Sequence, residues 1–169
     1  GSTFTVWTPH KSRDTTEVLF HLEIPPDLDP VTRRACILGA AAELRALPEV
    51  FDRGSALAQG LTVAVEGLRS YADGRKALLI ASDLRQVGGG FNFERTVPDA
   101  KRFLRWLRRQ ELLVEAGDVE LRVCGTHHHR GPRAPEFSGV DAKRLEETWT
   151  AAFEAMGWTW SGRSNCTES

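Results

Sequence analysis

Residues 3 to 8 (TFTVWT) alternate polar with apolar side chains, and residues 16 to 24 (TEVLFHLEI) are rich in β-branched and aromatic ones. Both patterns belong to strands, and the polar stretch PHKSRD between them predicts a hairpin. After PPDLDP the period changes. From Val31 to Leu47, Ala, Leu and Arg favour helix as far as Pro48. Cys36, Ile37, Ala40, Ala41 and Leu44 recur three and four apart, which predicts one face packed on a sheet. A second helix is expected from about Ala56 to Tyr71, with Leu57, Leu61, Ala64, Val65 and Leu68 on its apolar stripe and a stop at Asp73 and Gly74.

KALLIAS is nearly unbroken in its apolar character, as expected of a strand buried on both faces of a parallel sheet. A loop from Asp83 to Thr96 leads to a helix from about Pro98 to Gln110, then the strand VELRVC. The long loop GTHHHRGPRAPEFSG precedes a helix, DAKRLEETWTAAFEAM, which Gly157 ends. WTW is expected as a last edge strand. Strands alternating with helices predict a three-layer α/β/α, Rossmann-like fold, with a mostly parallel sheet and an antiparallel edge hairpin. KALLIAS and VELRVC should pair in parallel, because the segment between them fits one helical crossover plus a loop. No linker divides the chain, so residues 1–169 read as one domain.

Composition changes little. The net charge of −1, with 41% hydrophobic and 27% charged residues, suggests neither a nucleic acid nor a membrane partner. No apolar run approaches the roughly 20 residues of a membrane span. Cys36 and Cys124 lie in apolar segments and are expected as small buried thiols of a reducing compartment, which implies a cytoplasmic address. The chain opens on Gly1 and Ser2 without Met and passes straight into a strand pattern, so a beginning upstream is expected.

Ligands of such sheets bind beyond the carboxyl ends of the strands. The loops from Ser82 and Asp83, and from Gly125 to His129, occupy that edge, and Gly54 and Ser55 should lie close by. A strand-end carboxylate such as Asp83 suits a hard cation, magnesium or manganese; its plainer role is to cap the loop or pair with Arg85. His127 and His129 can point the same way from an extended backbone. With Asp83 they compose a two-histidine, one-carboxylate set for a metal-dependent hydrolase, set against the alternative of a solvated polar loop with Arg130 and Arg133. Gly88, Gly89 and Gly90 lack a phosphate-loop pattern and read as a flexible lid or mobile loop, with Phe91 and Phe93 either docking it onto the body of the domain, the reading preferred, or forming an exposed contact patch. The helix with KRFLRWLRR carries Lys101, Arg102, Arg105, Arg108 and Arg109, which could track a nucleic-acid backbone; a solvated face agrees better with the net charge. No GxSxG elbow is present, and nothing requires catalysis.

RGSALAQGLTVAVEGL followed closely by RKALLIASDL resembles the second half of a von Willebrand factor A domain. The resemblance covers most of the chain in element order. It implies a protein-interaction domain whose strand-end loops receive a protein partner. Ser55 then stands where the family usually has Thr, and Asp83 where it has its strand-end Asp; both belong to the metal-ion-dependent adhesion site. The family's Asp-x-Ser-x-Ser motif is missing, and its nearest imitation, SRDTTE, falls in the hairpin loop. The expectation is therefore a degenerate site binding magnesium or manganese weakly or not at all. The sheet would lack its middle strand, leaving an upstream segment, self-association or rearranged pairing to complete it.

Overall fold

The computed structural model describes residues 2–9, 16–46, 56–71, 74–124 and 139–160. Strands β1 (Ser2–Pro9) and β2 (Thr16–Ile24) form the expected antiparallel hairpin, with a register shift at Val6/Trp7. Helix α1 (Pro30–Ala46) begins where Asp29 caps it: one carboxylate oxygen accepts from the backbone N–H of Val31 at 2.9 Å and Thr32 at 3.1 Å. Proline suits that first position because its missing N–H has no helical partner. Helix α2 (Leu57–Arg69) leads to β3 (Lys76–Ala81), and the short ladder of β4 (Val87–Gly88) with β5 (Phe91–Asn92) precedes α3 (Ala100–Arg109). Then come β6 (Val119–Cys124) and α4 (Gly139–Ala155).

β3 and β6 are adjacent and parallel, with Leu78 opposite Leu121 and Ile80 opposite Val123. The architecture is thus mixed α/β, with a small parallel sheet and an antiparallel hairpin. Among the described residues the two are not one sheet: no ladder joins them, and α2 touches strands of both. One core gathers Leu57, Leu61 and Val65 of α2, Leu78 and Ile80 of β3, Val119, Leu121 and Val123 of β6, and the aromatics of α3 and α4. Stripes at helical spacing in α2, α3 and α4 and alternation in β6 produce that core.

Several expectations need correction. β3 is buried on one face only: Leu79 is 54% exposed, and Ala77 and Ala81 are exposed beside it. Helix α1 lies against β2, and its Ile37 is exposed while Cys36, Ala40 and Ala41 are half-buried. WTW forms no strand. Trp158 and Trp160 are buried against Phe153 at ring distances of 6.0 and 5.2 Å, and the Trp158 indole N–H donates to Val119 O at 2.6 Å. The thiol expectation also fails: Cys36 is free but only half-buried, whereas Cys124 is disulfide-bonded, its partner lying outside the described residues.

Candidate functional site

The carboxyl ends of β3 and β6 are level, since Ser82 N–H continues the ladder by donating to Cys124 O at 3.1 Å. Beyond this point the chain turns twice on its own side chains. Ser82 Oγ accepts from Leu84 N–H at 3.0 Å, and Asp83 Oδ1 accepts from Arg85 N–H at 3.0 Å. Short Ser and Asp side chains compete well for backbone donors in this way. Asp83 Oδ2 also lies 3.4 Å from Arg85 Nε, with the Asp83 side chain 34% exposed.

Leu84 has φ +61 and is 1% exposed. A non-glycine residue held there costs on the order of 1–3 kcal/mol and persists only where its surroundings fix it. Trp149 of α4 does so, donating its indole N–H to Leu84 O at 2.8 Å. Thr148, also buried, fixes the far end of the same loop by donating to Pro98 O at 2.9 Å.

Gln86 is wholly buried. Its Oε1 accepts from Ala58 N–H at 2.9 Å, while Nε2 faces Gln59 Oε1 and Gly88 O, each at 3.5 Å. Helix α2 starts after Ala56, which has no side chain able to cap it. Gln86 therefore supplies from the loop the acceptor that an N-cap residue normally provides. This bond brings the start of α2 beside the loop after β3, so that a Cβ on Gly88 would stand 3.4 Å from Ala56 Cβ.

Asp83 is thus at the strand-end edge, as expected, with its carboxylate engaged by Arg85. Ser55, His127 and His129 lie outside the described residues. Among the described residues no group of three or more His, Cys, Asp or Glu could hold a metal ion. Among the described residues Asp83 offers one carboxylate to this edge, already faced by a guanidinium, whereas magnesium needs octahedral oxygen ligands. The glycine run is no lid: Gly89 packs under Trp106, where a Cβ would fall 2.2 Å from Cζ2. Phe91 and Phe93 lock it further through edge contacts to Phe103 at 5.6 and 5.1 Å.

At the opposite end of the sheet, a hydrogen bond from Lys76 holds Asp118 below its ordinary value, and Arg75 followed by Arg122 does the same for Glu120. Asp29 is lowered chiefly by its bond from the Thr32 hydroxyl. Gln86, Leu84 and Trp149 carry the geometry of this edge, and the sequence patterns flagged none of them. A glutamine in a polar loop and a tryptophan on an apolar stripe look ordinary, and a left-handed leucine leaves no signal. No family model, curated protein or solved structure matches the chain.

Proposed function

We propose that the chain is a protein-interaction domain, similar in kind to a von Willebrand factor A domain, whose partner docks at the rigid strand-end edge without an ion. The observation that carries this reading is the anchored loop: Ser82 and Asp83 stand at the ends of two parallel strands on a backbone that Trp149 and Gln86 fix. A polar surface ordered before binding spares a partner the ordering entropy that weakens association. Element order and the parallel β3–β6 pair support the family likeness, and a third layer in this reading covers the outward Leu79. Catalysis has no part in it.

The bonded Cys124 agrees better with an oxidising compartment than with the cytoplasm. No helix among the described residues is long and apolar enough to cross a membrane.

Calorimetric titration with magnesium and with manganese should show weak binding or none. Tight binding that survives Asp83→Ala would place an ion elsewhere and end the ion-free proposal. A photo-crosslinker at position 83 should capture one defined protein, whereas the same group at Asp118, on the opposite edge, should not. Equal capture from both positions refutes the assignment of the edge.

A further inference from the structure

Helix α3 has an exposed face that the strand-end reading does not use. Lys101, Arg102, Arg105, Arg108 and Arg109 are all exposed, while Phe103, Trp106 and Leu107 are buried. At about 100° per residue the five cations fall within an arc of roughly 120°. None has a carboxylate partner among the described residues. Like charges four apart, as in Lys101 with Arg105 and Arg105 with Arg109, oppose the helix. The ridge therefore has a local cost that no partner within the described residues offsets.

We propose that this ridge docks an extended acidic segment of a partner protein. Lys101, Arg105 and Arg109 stand about 6 Å apart at each step along the axis, close to the roughly 6.6 Å between alternate residues of an extended strand. A segment with carboxylates at every second position thus meets the row in register. Four of the five cations are arginines, and half-buried Leu104 and Phe91 flank them, with Arg102 over the Phe91 ring at 5.6 Å. Arginine and aromatic side chains are the types that protein interfaces concentrate.

A nucleic acid fits less well. Trp106, being buried, offers no platform for a base. A membrane has nothing to receive, because the apolar side of α3 faces the core. The inference is independent of the family likeness and of the strand-end edge.

Fluorescence anisotropy with a labelled peptide of about twelve residues, alternating Glu and Ser, tests it in the full chain. Binding should saturate at low salt, weaken by at least about tenfold in Arg105→Glu/Arg109→Glu, and fade as salt rises. Arg105→Gln/Arg109→Gln serves if the reversal disturbs folding, which circular dichroism monitors. Lys143→Glu, at an exposed position of α4, should leave binding unchanged, and so should Asp83→Ala, which separates failure here from failure at the strand-end edge. Absence of binding, indifference to the α3 variants, or α3-dependent preference for a short DNA duplex at equal salt each overturns the proposal, the last by making the ridge a phosphate reader.

Discussion

Replacing Gln86 by Leu keeps the buried volume similar and removes the amide that joins α2 to the loop after β3. Ala58 N–H then loses its acceptor at 2.9 Å in a site where neither Ala58 nor Gln86 is reached by solvent. A buried donor left unmade costs about 1–3 kcal/mol, more than the bond itself contributes. The two contacts from Nε2, at 3.5 Å, are long enough to add little. A loss of about 2 kcal/mol should lower the melting temperature of a chain this size by roughly 4–8 °C. Urea denaturation should show a lower midpoint at unchanged slope, since the surface exposed on unfolding stays the same. Amide exchange should speed up at Ala58 in particular. A loss below about 0.5 kcal/mol, or exchange at Ala58 equal to wild type, refutes the claim that Gln86 caps α2.

Gly89→Ala should cost about 1–3 kcal/mol by urea denaturation, because its Cβ falls 2.2 Å from Trp106 Cζ2 and its φ is +58. Gly90→Ala, at φ +88 with nothing within 4 Å, should cost less. Trp149→Phe keeps an aromatic ring but removes the indole N–H that Leu84 O accepts, along with the five-membered ring; a loss of at least about 1–3 kcal/mol and faster exchange near residues 83–86 are expected. Glu120 has a folded pKa below its ordinary 4.5, so its contribution is present above that value and disappears as pH falls through the lower one. Glu120→Gln should therefore make stability fall less steeply between about pH 5 and pH 3, measured by denaturation at each pH. Alkylation followed by peptide mapping should label Cys36 directly and Cys124 only after reduction.

The elements whose apolar positions settle a single packing partner were legible in advance. The stripe of α2 states which side faces the core, and the parallel pairing followed from the crossover length. KALLIAS misled because an apolar run cannot say how many of its faces are covered. Leu79 has the same side chain as Leu78 and the opposite environment. WTW misled for a related reason: tryptophan suits strands and cores equally, and here Phe153 and Val119 receive it. At the site, the position of Asp83 was readable from strand direction, along with its pairing to Arg85 as the plainer alternative. The anchors that fix it come from residues distant in sequence, whose bonds depend on three-dimensional register.

Those anchors also decide what kind of site this edge can be. A loop that must close on a ligand has to reach several conformations of similar energy, and is drawn from weakly held segments. Between Ser82 and Pro98 the opposite holds: Trp149 and Thr148 of α4 grip both ends, Gln86 ties the middle to α2, and Trp106 covers the glycine turn. The strained φ of Leu84 is retained inside that frame. Releasing it would cost buried contacts on several elements at once, so the loop does not open easily. A rigid edge of this type suits recognition by complementarity, where the groups on offer are present before the partner arrives. In the proposed reading a partner meets an Asp83 carboxylate already faced by Arg85, which favours hydrogen-bonding groups over a strongly charged ligand. Among the described residues the cations of α3 have no such carboxylate partner, so the two proposed surfaces would select by different physics: shape and hydrogen bonding at the strand ends, and long-range charge on the helix.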